Sequence, residues 1–263
     1  MEETKSLKSI TAKESEKIVG GTFNKVVIRG KNIIEKDIKC KSFLVDGVCK
    51  LKGNLEAKSI VIKGQMSIDK SVSGKNVRFG GIVNVKENCN IEDLIISGKA
   101  LLEKDIICKE LNIAGSASID GNVESSYMYV SGVSYLKGNL NVDKLALSGG
   151  IIAEKSIKGS NINITLGTES KINNLKGKNI TIKNPENTAK LFSKMLKKLV
   201  KNKVQLSCKK IEGDKIYLEN TTADLVRGNV VIIGEGCNIK KVEYIEELKV
   251  IENGKVIKNI KVD

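Results

Sequence analysis

The sequence predicts an all-β fold, a single-stranded triangular parallel β-helix with 17 residues per coil, interrupted by one inserted amphipathic α-helix. Three observations predict it. Glycine recurs at positions 30, 47, 64, 81, 98, 115, 132 and 149, a spacing of 17 held without a slip. Apolar residues fall into columns at the same period. Aromatic residues make up only 3% of the chain, with no Trp and one Pro. An interior without large rings must be narrow enough for Ile, Val, Leu, Cys and Ala to fill.

Eight units aligned on those glycines begin at Val26, Phe43, Ile60, Val77, Leu94, Leu111, Met128 and Leu145. The third column reads Ile28, Val45, Ile62, Phe79, Ile96, Ile113, Val130 and Leu147. The ninth reads Ile34, Leu51, Ile68, Val85, Leu102, Ile119, Leu136 and Ala153, and the thirteenth Ile38, Leu55, Val72, Cys89, Ile106, Val123, Leu140 and Ile157. Columns 1, 7 and 15 are mostly small or apolar. Inward positions therefore come in pairs, 1 with 3, 7 with 9 and 13 with 15, and this period of two marks strands. Three pairs per unit mean three short strands and three corners. Glycine in column 5 is expected at a corner for its backbone freedom. The repeated Gly53-Asn54-Leu55, Gly121-Asn122-Val123 and Gly138-Asn139-Leu140 mark a second corner.

The repeat then loosens. A ninth coil, 162–179, is one residue longer. Residues 175–184 and 211–220 share the pattern apolar-x-Gly-x-x-Ile-x-apolar-x-Asn at an offset of 36. Subtracting one coil leaves an insertion of about 19 residues. Coils restart near Ile216, Val231 and Leu248, which makes about twelve in all. The expected organisation is a flexible tail over 1–21, β-helix over 22–184 (nine coils and the start of a tenth), a basic helix over 185–204, and closing coils over 205–263. Pro185 suits a first helical turn. Leu191, Phe192, Met195, Leu196, Leu199 and Val200 lie on one helical face. Lys194, Lys197, Lys198 and Lys201 lie on the other. Such a helix either packs on the flank of the coils or binds an anionic membrane or a partner.

The formal net charge is +14, yet only Arg29, Arg78 and Arg227 are arginines. Scarce Arg and scarce aromatics argue against a nucleic-acid partner. Lysine on a solvent face also keeps exposed β-surface soluble. Six cysteines include no CxxC pair, and there is no His to complete a common zinc site. They read as small core hydrophobes. No secretory segment or membrane-length apolar run is present, so a cytosolic chain with reduced thiols is expected. Without His the usual general base is missing. No catalytic, cofactor-binding or metal-ligating residue is expected, and the chain reads as a non-enzyme. Asp46, Asp69 and Asp120 read as solvated surface. The hexapeptide-repeat acyltransferases need six-residue repeats and usually a catalytic His. A secreted adhesin or polysaccharide-cleaving β-helix would carry longer coils and aromatic sugar platforms.

Interior coils pair above and below, but terminal coils present unpaired backbone and apolar core side chains. Phe23, Val26 and Ile28 at one end and Leu248, Val250 and Val256 at the other are the expected polymerisation ends. At this point the chain resembles the bactofilins, polymer-forming cytoskeletal proteins of bacteria. The resemblance covers 20–262 and rests on the 17-residue coils with corner Gly, the Gly53-Asn54-Leu55 type motifs and the lack of His. The closing segment, from Glu219-Asn220-Thr221-Thr222-Ala223 through Val226-Arg227-Gly228-Asn229 and Gly234-Glu235-Gly236-Cys237 to Val242-Glu243-Tyr244, is similar to the larger Gram-positive members. The resemblance implies a right-handed β-helix that self-assembles without nucleotide into non-polar filaments. It implies roles in cell shape, envelope assembly or motility, with envelope or motility proteins as partners. The implied location is the cytoplasm, with the inner face of the membrane as a peripheral site. This chain differs from the compact members in its extra coils, its insertion and its lack of an apolar N-terminal stretch. The competing expectation is a monomeric or dimeric adaptor that meets membranes through the basic segment 185–204.

Overall fold

The structure is a computed structural model that describes residues 7–185 and 204–263. The chain divides into two compact units, Met1–Ser126 and Tyr127–Asp263. All the regular elements of the described residues are strands, and every strand pairing given below is parallel.

Unit 1 opens with β1 (Ile10–Ala12) and β2 (Lys17–Ile18). Thereafter eight-residue and four-residue strands alternate: β3 (Gly21–Ile28), β4 (Lys31–Ile34), β5 (Ile38–Val45), β6 (Val48–Leu51), β7 (Leu55–Ile62), β8 (Gln65–Ile68), β9 (Val72–Phe79), β10 (Ile82–Val85), β11 (Cys89–Ile96), β12 (Lys99–Leu102), β13 (Ile106–Ile113) and β14 (Ser116–Ile119). Each long strand supplies two of the three faces. The pairing of β5 with β7 passes from Cys40↔Ala57 to Ser42↔Ser59 and skips Lys41 and Lys58, which turn the corner. The same skip occurs between β9 and β11 and between β11 and β13. From β3 to β14 the pairing offset within this unit stays at 17.

The expected inward columns are the core. Ile28, Val45, Ile62, Phe79, Ile96 and Ile113 are all fully buried, as are Ile34, Leu51, Ile68, Val85 and Ile119. Side chains stack on their counterparts one coil away, which gives each the dry contacts of a close-packed interior.

The corner glycines are explained differently from the expectation. Of the column-5 glycines in unit 1, only Gly30 has a left-handed φ, at +68°. The others are required by close approach. A Cβ on Gly47, Gly64, Gly81, Gly98 or Gly115 would lie 1.8–2.2 Å from the carbonyl oxygen of the corner glycine one coil earlier. Those carbonyls are held in place by the ladder: Gly64 O accepts from Ile82 N at 3.0 Å and Gly81 O from Lys99 N at 2.9 Å.

Polar side chains align the other corners. Asp37 Oδ1 accepts from Asn54 N at 2.8 Å, and Asn54 Oδ1 accepts from Ser71 N at 3.2 Å. Asn88 and Asp105 repeat the arrangement toward Asp105 N and Asn122 N. Column 10 alternates in sign over five levels, Glu35, Lys52, Asp69, Lys86 and Glu103, before Asp120 follows Glu103 with the same sign. Lys52 Nζ lies 2.7 Å from Glu35, and Lys86 Nζ 2.7 Å from Asp69. The Lys52 ammonium holds the Glu35 carboxyl below the usual range, and Lys86 does the same for Asp69.

Within the expected N-terminal tail, Ile10–Ala12 pairs with Val26–Ile28 and Lys17–Ile18 with Ile33–Ile34. The offset is 16 rather than 17. Ser15, at φ 43°, makes this coil's turn, and the buried Asn32 accepts from Glu16 N at 3.0 Å. Ala12 and Ile18 are buried.

The division between units falls within β15 (Val123–Val130). Unit 2 continues with β16 (Val133–Leu136), β17 (Leu140–Leu147), β18 (Gly150–Thr165), β19 (Ser170–Lys183), β20 (Leu206–Leu218), β21 (Thr221–Ile233), β22 (Asn238–Val250) and β23 (Lys255–Lys261). Ile162, Ile180, Ile216, Val231 and Leu248 pair in sequence, as the restarting coils require. The offset of 36 holds across the whole of β19 and β20, with Gly177↔Gly213 and Ile180↔Ile216. Column 15 becomes a glycine stack, Gly159, Gly177, Gly213 and Gly228, against which Ile162, Ile180 and Ile216 pack. Tyr244 ends the stack, and the register of β21 with β22 shifts there between Gly228 and Val230.

The expected α-helix is a correction: there is no helix among the described residues, and the fold class is all-β. The segment read as that helix, 185–204, lies almost wholly outside the described residues, which resume at Val204. Apolar residues at i and i+4 license a helix only where a surface covers them, because an isolated helix of that length is marginal in water. The wall needs no such element, since β19 pairs directly with β20 from Ser170↔Leu206 to Ile182↔Leu218.

Two substitutions test this packing. Ile113→Asp places an unpaired charge in a dry column, so urea denaturation is expected to show a loss on the order of 4 kcal/mol or more. Gly81→Ala, at a position without positive φ, is expected to cost about 1–3 kcal/mol through overpacking. An unchanged midpoint for Gly81→Ala would mean the coils are spaced more loosely at that corner.

Candidate interaction surfaces

The two groups of expected end residues meet different fates. Val26 and Ile28 are fully buried, because Ile10 and Ala12 stack on them, and Phe23 is half-buried. The outermost described level in unit 1 is therefore that of Ile10, Ala12, Ile18 and the exposed Val19. Reasoning from the 17-residue repeat misses it because the spacing is 16 and no glycine marks its corner. The Ile10-Thr11-Ala12 alternation in front of Val26-Val27-Ile28 is the available signal.

In unit 2, Leu248 and Val250 continue the buried columns of Val231 and Ile233, and Val256 continues that of Ile239. Leu248 and Val256 are nevertheless only half-buried and Val250 is exposed, while Ile257 is 74% exposed. β23 pairs on one side, with β22, and among the described residues has no strand on its other edge. Asn259 and Lys261 stand in columns filled further in by Val242 and Tyr244. Beside this level, Glu243 accepts from Arg227 Nε at 2.6 Å and pairs with Lys241 at 2.6 Å, and these cations hold its carboxyl below the usual range. The expected helix residues Leu191, Phe192, Met195, Leu196, Leu199, Lys194, Lys197, Lys198 and Lys201 lie outside the described residues.

The six thiols are all buried and unbridged. Burial pushes Cys49, Cys89 and Cys208 up to about 12, and Cys40 and Cys237 to about 11. At neutral pH they are protonated and screened from reagents. Ellman's reagent is expected to find none of them in the native protein and six after unfolding; rapid native reaction of more than one would contradict this packing.

No helix among the described residues is long and apolar enough to cross a membrane. The parallel β-solenoid is consistent with the bactofilin resemblance. No family model matches the chain, and no solved structure matches it. Two proteins of Bacillus subtilis (strain 168) are similar over short stretches. Uncharacterized protein YhbF is 43% identical over 75 residues, 28% of this chain and 28% of that protein. Uncharacterized protein YhbE is 59% identical over 39 residues, 15% of this chain and 16% of that protein. The chain thus matches less than a third of the length of either relative.

Proposed function

We propose that this chain is a non-enzymatic scaffold of the bactofilin kind, which associates with further copies of itself coil on coil and without nucleotide. The observation that carries the reading is the level of Leu248, Val250 and Val256, in phase with the buried columns yet largely uncovered. Covering it with a coil of the same geometry would extend the backbone ladder and remove those side chains from water. Each such side chain is worth roughly 1.5–3 kcal/mol when fully buried. An unpaired strand edge is itself a template for another strand. Lys249, Lys255 and Lys258 on this level are the kind of charge that discourages unselective edge pairing. A cytoplasmic cytoskeletal role in cell shape, envelope assembly or motility is what the resemblance adds to this reading.

Sedimentation velocity and negative-stain electron microscopy of the full chain without nucleotide test it. Wild type is expected to form assemblies larger than a dimer. Val250→Lys with Val256→Lys is expected to return it to single folded chains. A strict monomer at high concentration, or assembly indifferent to the double substitution, would overturn the proposal.

A further inference from the structure

One outer face of unit 1 has a composition unlike a solvated wall. It is built by the short strands β4, β6, β8, β10, β12 and β14, whose outward residues are two per strand. Ile33, Val48, Ile82 and Leu101 stand there, 37–53% exposed. Lys31 and Lys99 stand among them, and neither is ion-paired to a described residue. A third lysine, Lys50, reaches Asp69 at 3.5 Å. The other outward positions are Gln, Ser and Asn, so the face carries no carboxylate. Of the carboxylates at its border, Glu35 is held by Lys17 and Lys52 and Asp69 by Lys50 and Lys86, while Asp46 and Glu103 are ion-paired to no described residue.

We infer that this face is a docking surface for an anionic lipid bilayer. Charge complementarity points to the partner: aliphatic side chains interleaved with uncompensated lysines suit a negatively charged, apolar-backed surface. Size argues against a protein. Four residues by six strands cover about 13 by 29 Å, roughly 400 Å². A stable protein interface takes about 800 Å² from each partner. A second copy presenting the same face would set lysine against lysine. A bilayer demands neither a matching shape nor a minimum area. Each lysine brought near it strengthens attachment about five-fold. The inference does not depend on assembly, because the face belongs to one chain.

Co-sedimentation of the full chain with vesicles, at fixed salt, tests it. Binding to vesicles containing phosphatidylglycerol is expected, with little to pure phosphatidylcholine. Ile82→Ser with Leu101→Ser, and separately Lys31→Gln with Lys99→Gln, are each expected to weaken it at least about ten-fold. Lys41→Gln with Lys58→Gln, an equal charge change at a corner off this face, is expected to weaken it far less. Circular dichroism must show each variant folded. Equal loss from the two lysine pairs would mean that only net charge matters and would overturn the inference, as would no binding by wild type. A change in sedimentation coefficient with Ile82→Ser and Leu101→Ser, at unaltered vesicle binding, would reassign the face to contact between copies.

Discussion

Nearly every backbone hydrogen bond in the walls runs to the coil before or after, so the separation between coils is set by the peptide group at about 4.8 Å. No side chain can widen it locally. An inward residue must fit beneath its counterpart, and a corner residue must clear the corner above it. The columns of Ile, Val and Leu satisfy the first demand. The glycines satisfy the second, since at Gly47 through Gly115 the space for a Cβ is taken by a carbonyl oxygen of the neighbouring coil. The same rule gives unit 2 its glycine stack, whose missing side chains make room for Ile162, Ile180 and Ile216. Where Tyr244 breaks that stack, the ladder slips.

The fixed spacing also decides which features are legible in the sequence. Residues repeated under the same constraint are visible in spacing alone, as the three apolar columns and the offset of 36 between β19 and β20 are. The reason for the corner glycines is not visible, because periodicity is silent on whether a position lacks dihedral freedom or lacks room. The N-terminal coil is hidden because it meets the constraint with other residues. Ser15 turns its corner, and Asn32 supplies an acceptor where the inward columns suggest an apolar side chain. Val26 and Ile28 therefore look terminal in the sequence although they lie one level inside. The helical reading of 185–204 rests on spacing alone, with no neighbouring column to support it.

The interior is spent on packing, and its thiols are held protonated by burial. What differs from level to level is the outward side: an aliphatic and lysine face in unit 1, an ion-pair network of Glu212, Arg227, Glu243 and Lys241 in unit 2, and an uncovered apolar level at Leu248 to Val256. A β-solenoid with such outward faces is compatible with a structural role.

The alternating column of Glu35, Lys52, Asp69, Lys86 and Glu103 has a consequence during folding. A repeat protein is in danger of looping out one whole unit and closing on the next, because every apolar column would still match. Here such a skip would bring Glu35 against Asp69, or Lys52 against Lys86, and only an even number of lost coils would restore opposite signs. Over these five levels the column therefore disfavours the loss of an odd number of coils, at corners where Asp37 and Asn54 also hold the backbone of the adjacent coil. Layers that are alike in their apolar columns are thereby told apart by charge.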